Sequence, residues 1–431
     1  MAKGMAADAS EMAAADNVPP ERVACCIVGG GPAGIMLGLL LARAGVDVAV
    51  LEKHRDFLRD FRGDTVHPST LQIMHELGLL DGFLQRPHQE VRELRGYIGD
   101  SEIVLGDFRH LPTRCKFIAL MPQWDFLDFL AAAGRRYPGF HLCLEAEVAD
   151  LLEQNGRVVG VSLHTPAGPM TVHADLVIGA DGRHSVVRER AGLDVLTLGA
   201  PIDVLWMRLS KRQGDPGQIA GRVNYGRMLV SLDRGDYWQC AFVIRKDGFN
   251  TIKARGLEAF RDDIARIAPF LRDRVGELRD WDDVKLLTVM VDRLQQWWRP
   301  GLLCIGDSAH AMSPIGGVGI NLAVQDAVAT ANLLARPLLD GTLSEADLRA
   351  VQQRRTFPTR VIQAMQLTVQ ARVIDRVLGS DKPIKAPFLL RLFNYVPWLA
   401  RLPARLIGLG VRPEHVQTPY VEPPYVQSRQ A

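Results

Sequence analysis

The sequence predicts an α/β fold in which a Rossmann-like nucleotide-binding domain is interrupted by an inserted antiparallel β-sheet domain and followed by C-terminal helices. Three observations predict it. An apolar run at 22–28 leads into Gly29-Gly30-Gly31-Pro32-Ala33-Gly34, with a second apolar run at 35–42 behind it. Another, 174–180, ends in Asp181-Gly182. A last one, 301–305, ends in Gly306-Asp307-Ser308-Ala309-His310.

The run at 22–28 suits a strand buried on both faces, and 35–42 suits a buried helix. The G-x-G-x-x-G spacing therefore falls at a strand-to-helix turn, the context in which it grips a pyrophosphate. Gly29 permits the tight turn, Gly31 lets the backbone approach the anion, and Gly34 lets helix and strand pack closely. Pro32 and Ala33 fall at the helix start, where free N–H groups face the phosphates. A strand at 46–51 ends in Glu52, 52 − 34 = 18 residues after the last glycine, where an acid meets a ribose hydroxyl.

A polar loop at 62–70 leads to a helix at 71–77. Short strands fill 91–118, and a helix begins at 122–125. Strands resume at 140–152, 157–164 and 170–172, before the run that ends in Asp181-Gly182. Ligands of open α/β sheets sit at such carboxyl ends. Residues 196–284 change character, with antiparallel strands at 203–209, 218–225, 227–232 and 237–245 and a helix at 257–268. Trp206, Tyr225, Tyr237 and Gln239 are the candidate pocket residues of this sheet. Packing within the sheet core is the competing reading for each aromatic. The chain returns to the nucleotide domain at 301–307. The glycines of 314–321 then let backbone lie flat against a planar ligand, and a helix at 320–334 aims its positive end there.

The expected division is a disordered extension at 1–20, a nucleotide-binding domain from 21–90, 119–195 and 285–345, a sheet domain from 91–118 and 196–284, and a helical region at 346–431. The 431 residues are 47% hydrophobic and 23% charged, as in ordinary globular enzymes. A net charge of +2 gives no field to favour nucleic acid. Six cysteines without a C-x-x-C pair argue against a disulfide scaffold or metal site and point to a reducing, cytoplasmic setting. No run of 18 apolar residues is found, so no spanning helix is expected. Residues 389–409 alternate apolar residues with Arg391, Arg401 and Arg405, a pattern open to peripheral membrane contact. Prolines interrupt it, and helices docked on the protein are the favoured reading.

Together these motifs resemble the single-component FAD-dependent aromatic monooxygenases, the p-hydroxybenzoate hydroxylase-like group that includes ubiquinone-biosynthesis hydroxylases. The match covers roughly 22–340 through the glycine loop, the segment Asp181-Gly182-Arg183-His184-Ser185 continuing to Arg188, and Gly306-Asp307 through Asn321. The resemblance implies a glutathione reductase-type FAD domain, with NADH or NADPH as a transient co-substrate. It implies that Glu52 binds the adenosine ribose with Lys53 beside it, that Val148 meets adenine, and that Arg62 and Gln123 contact FAD. Asp181 and Gly182 then lie near both FAD and NAD(P)H. Asp307 holds the ribityl chain, and Pro314, Gly317, Gly319, Ile320 and Asn321 line the flavin ring. Arg62 and Pro314 are the catalytic candidates, and His67 and His310 are the only candidates for a base. Hydroxylation of an aromatic, quinone-like or polyketide-like small molecule with O2, through a flavin C4a-hydroperoxide, is the implied activity. Gly316-Gly317-Val318-Gly319 departs from the family's commoner single-glycine spacing. The tyrosines and serine that bind hydroxybenzoate have no counterparts here. A non-oxygenating flavin oxidoreductase is the main alternative. A flavin halogenase ranks lower, because Trp297-Trp298-Arg299-Pro300 does not supply the W-x-W-x-I-P element. A protein that merely retains FAD is a further possibility.

Overall fold

The computed structural model describes residues 17–58, 65–216, 220–371, 375–378 and 382–423. Arg62 lies outside them, as do residues 1–16 of the expected disordered extension. The last residues of that extension are docked, since Asn17 exchanges hydrogen bonds of 3.2 and 2.7 Å with the backbone of Leu144.

The apolar runs form one parallel sheet. Strand Arg22–Val28 lies between Val48–Glu52 and Gly168–Gly179, and Phe140–Leu144 and Leu302–Cys304 extend the two sides. Both faces are covered, which is why these strands carry apolar residues without alternation. Helix Pro32–Arg43 packs on helix Gly319–Leu339 and on helix Gln123–Gly134. The expected separate strands at 170–172 and 174–179 are one strand, Gly168–Gly179. Its first half pairs antiparallel with Arg157–Thr165, and its second half runs parallel with Arg22–Val28.

A seven-stranded sheet is built from Lys285–Leu287, Ile202–Ser210, Tyr237–Arg245, Arg227–Asp233, Ala220–Asn224, Glu93–Ile98 and Ser101–Asp107, in that order. Its pairings are antiparallel as expected, except that Ala220–Asn224 runs parallel to Glu93–Ile98. Those two strands come from distant parts of the chain, so no hairpin fixes their relative direction. Alternate residues serve opposite faces. Leu205, Met207, Trp238, Cys240 and Phe242 pack on helix Leu257–Ile267 through Phe260 and Ile264. Val204, Ala241 and Val243 face the other way, against Trp206, Met228, Val230 and Ile315.

One segment bears on the expectation that no helix spans a membrane. The segment Ile315–Leu339 is long and apolar enough to cross a bilayer, and 83% of its most apolar window is buried inside the fold. It reads as apolar on every side because it is the central core helix, enclosed by the sheet and by its neighbouring helices. All six cysteines are free and buried.

Candidate active site

The two nearest carboxyl ends of the parallel sheet, at Val28 and Gly179, belong to strands whose onward connections leave in opposite directions. A crevice opens at that switch point. Gly29 lies in it with φ +107°, and a Cβ there would stand 2.4 Å from the Ala180 carbonyl oxygen. Gly34 is equally confined, since its Cβ would stand 1.9 Å from the Gly29 carbonyl oxygen. Gly31 differs: nothing lies within 4 Å of its Cβ position. The open side of the loop is therefore at the residue that begins helix Pro32–Arg43, whose first-turn N–H groups have no carbonyl partner within the helix. Glu52 fixes the loop by accepting from the Gly30 N–H at 2.9 Å, and it also accepts from the His54 N–H at 3.1 Å. Lys53 is exposed beside it. The turn leading to strand Glu147–Gln154, which carries Val148, is hydrogen-bonded to the backbone of Glu52 and His54. Val148 points its side chain into the core, so only its backbone is available to a ligand. Gln123 begins the neighbouring helix and is half-buried.

Asp307 emerges where helices Pro32–Arg43 and Gly319–Leu339 meet. It is partly exposed and lies 3.5 Å from the Arg183 guanidinium. Beneath it is a buried charge network that sequence reasoning missed. Asp326 accepts from the Gly306 N–H at 3.0 Å, from His310 Nε2 at 2.6 Å and from Arg355 Nε at 2.8 Å. Burial by itself would raise the Asp326 pKa, but the adjacent His310 and Arg355 overcome that and hold it at about 2. Arg355 in turn reaches Glu414 at 3.5 Å. Asp326, a carboxylate within a mainly apolar helical stretch, was the available signal, because unpaired buried charges are prohibitive.

The loop 314–319 is strapped from outside. Thr65 Oγ1 donates to the Gly317 carbonyl at 2.9 Å, and Ser69 and Thr70 donate to Asn321 Oδ1 at 2.6 and 2.8 Å. Pro314 is exposed, Ile320 is buried, and Gly319 again has nothing within 4 Å of its Cβ position. Two open glycines thus mark the starts of two packed helices, each presenting backbone to the same crevice.

Several site residues stand differently from the sequence expectation. The Asp181 carboxylate turns inward, accepting from Ser185 Oγ at 2.5 Å and the Val187 N–H at 3.1 Å, and burial raises its pKa. It caps the next helical turn. Asn321 likewise commits its side-chain oxygen to the strap. His310 is buried against Asp326 and Trp297, which removes it as a base acting on substrate. His67 is wholly buried, its Nδ1 2.8 Å from the Ile407 carbonyl, and burial lowers its pKa to about 4. Trp206 and Gln239 share the sheet face turned toward Ile315, and Tyr237 follows at the end of the same face. Gln239 accepts from Arg234 at 3.0 Å, and Tyr237 lies under Arg208. Tyr225 is not with them. It occupies a hairpin turn at φ +48° with Arg266 over its ring, because the sharp turn holds it at the sheet end.

The crevice offers one helix N-terminus for a pyrophosphate, carboxylates at Glu52 and Asp307 for sugar and ribityl hydroxyls, and a second helix N-terminus with glycine-lined backbone for a flat ring. That donor set fits FAD and defines a flavin-dinucleotide enzyme. The chain belongs to the FAD binding domain family, whose model matches residues 22–365. It is 35% identical over 383 residues to 6-methylpretetramide 4-monooxygenase of Streptomyces rimosus, covering 88% of this chain and 91% of that one. Its fold is similar to that of the OxyS anhydrotetracycline hydroxylase of Streptomyces rimosus, with a TM-score of 0.71 and 23% identity over 91% of this chain and 77% of that one. The fold is also similar to that of p-nitrophenol 4-monooxygenase PnpA of Pseudomonas putida DLL-E4, with a TM-score of 0.69 and 19% identity over 90% of this chain and 96% of that one. The protein is an FAD-dependent monooxygenase.

Proposed function

We propose that the protein hydroxylates a polycyclic aromatic molecule of polyketide type, held between the seven-stranded sheet and the loop 314–319. The observation that carries this reading is that the sheet face bearing Trp206, Val230, Ala241 and Val243 is apolar and turned toward the glycine-rich loop, with Ile315 at their junction. A flat apolar substrate fits between such a face and glycine-lined backbone, where water is excluded. The name of the Streptomyces rimosus relative, which acts on a pretetramide, supports the substrate class.

FAD, when bound, supplies hydride acceptance from a nicotinamide dinucleotide and oxygen transfer to substrate. The protein's part is to bind, orient and keep the site dry. Gly29, Gly31 and Gly34 with Pro32 and Ala33 hold the pyrophosphate, and Glu52 with Lys53 and the Val148 backbone holds the adenosine end. Asp307 holds the ribityl chain, and Gln123 and the Asp181-Gly182 backbone close the sides. Pro314, Gly317, Gly319 and Ile320 present backbone to the flavin ring, with the N-terminus of helix Gly319–Leu339 favouring negative charge there. Arg62 belongs to this set by the family resemblance. Gln239, with Arg234, gives the pocket a polar end that fixes substrate orientation. Six buried, unpaired cysteines support a reducing, cytoplasmic setting.

The test is NADH and NADPH oxidation across a panel of polycyclic polyketides, quinones and simple phenols, with product masses measured. Substrate-stimulated oxidation yielding a polycyclic product heavier by one oxygen atom is expected. Turnover without oxygen incorporation would move the chain to the non-oxygenating oxidoreductases.

A further inference from the structure

The C-terminal helices rest on the protein through small residues and still leave three large apolar side chains facing out. Helix Arg401–Gly408 buries Ala404 and Gly408. A Cβ on Gly408 would stand 2.8 Å from Leu111, and one on Gly106 would stand 3.7 Å from Ala404, so the helix lies directly on the protein by virtue of those small residues. On the outer side, Tyr395 is 81%, Trp398 57% and Leu402 62% exposed. A surface helix ordinarily keeps such side chains on its inner face. Arg391 lies one helical turn before Tyr395, and Arg401 and Arg405 flank Leu402; all three arginines are exposed.

The charge of the segment is one-sided. Residues 382–412 hold six lysines and arginines and no aspartate or glutamate, in a chain whose net charge is +2. We propose that this surface docks on an anionic lipid bilayer. Tyr395 and Trp398 would enter the headgroup boundary, where amphipathic rings are favoured, with Leu402 beside them. Arg391, Arg401 and Arg405 would meet lipid phosphates. A second copy of the chain fits poorly. Two-fold pairing would set these arginines against their own copies, with no carboxylate in the segment to answer them. Nothing in this inference depends on the substrate reading.

The test uses the FAD-loaded full chain in flotation with phosphatidylcholine vesicles, with and without phosphatidylglycerol. Flotation with the anionic vesicles, weakened by added salt, is expected, and none with the neutral ones. The triple substitution Tyr395→Ser, Trp398→Ser, Leu402→Ser should lower partitioning by about tenfold or more while leaving NAD(P)H oxidation unchanged. Arg391→Glu, Arg401→Glu, Arg405→Glu is the second variant, reading the charge separately should the first fail to fold. No flotation at low salt, or equal flotation of both variants, would overturn the proposal. So would light scattering that reveals a dimer abolished by the serine variant.

Discussion

Gly306 sits against Ala33: a Cβ on Gly306 would stand 3.1 Å from the Ala33 Cβ. This contact seats the loop carrying Asp307 on the first turn of the helix behind the glycine loop. The pyrophosphate end and the ribityl end of the cofactor therefore share one rigid frame. Gly306 also has φ +60°, so a side chain meets both crowding and backbone strain. Gly306→Val should yield folded protein only in part, and the folded fraction should lack bound flavin in its absorbance spectrum.

The glycines of the first loop should separate by experiment. Gly31 faces open space, whereas Gly34 faces the Gly29 carbonyl at 1.9 Å from its Cβ position. Gly31→Val should fold and show FAD affinity weaker by about tenfold or more, because its side chain occupies the anion's approach. Gly34→Val should fail to fold. Circular dichroism and flavin titration distinguish the two, and equal behaviour would contradict the geometry.

The two aspartates at strand ends should also diverge. Asp307→Ala removes a partly exposed carboxylate that faces the crevice and should weaken FAD binding by roughly tenfold to a hundredfold, as for a charged hydrogen bond. Asp181→Ala removes a helix cap instead and should cost about 0.5–2 kcal/mol of stability. Flavin titration and urea unfolding of both variants read the contrast.

His67 makes stability depend on pH. Its folded pKa is about 4 against an ordinary 6.5, chiefly through burial, with hydrogen bonds to the backbone of Ile407 and Gly317 opposing. The unfolded chain takes up a proton below pH 6.5 that the folded chain refuses until about pH 4. The stability from neutral His67 is therefore present above the unfolded value and lost as pH falls through this window, by roughly 3 kcal/mol in full. His67→Asn retains a donor for the Ile407 carbonyl and removes the titration. Thermal melts from about pH 7 to pH 5 should fall less steeply for the variant than for the parent.

Asp326 should matter more to folding than either strand-end aspartate does. Asp326→Ala would leave His310, Arg355 and the Gly306 N–H without their shared acceptor, at a cost of about 3–5 kcal/mol. Because His310 and Arg355 hold its pKa at about 2, below the unfolded 3.8, its contribution is complete above the unfolded value and is lost only as pH falls toward 2. Urea midpoints of the variant at neutral pH check the size of the loss.

Much of the site was legible because its motifs are local. The turn at Gly29, the open approach at Gly31 and the distance to Glu52 depend on a few consecutive residues and a known strand-to-helix geometry. The roles of Asp181, Asn321 and His310 were not legible in the same way. Each lies inside a recognisable motif, yet each side chain is turned to a partner that is close only after folding: Ser185 and the Val187 N–H, Ser69 and Thr70, and Asp326. The misplacement of Tyr225 has a similar origin, since a strand pattern does not reveal which residue takes the hairpin turn.

By itself the sequence determined the order of strands and helices, the flavin-dinucleotide motifs and the family, because apolar period and glycine spacing act over short stretches of chain. Tertiary structure decided which polar groups face the ligand and which are consumed by the frame. It also decided that the most membrane-like helix is a core helix and that the last helices leave Tyr395, Trp398 and Leu402 exposed. Those outcomes follow from burial and partner geometry, which exist only once distant segments have packed.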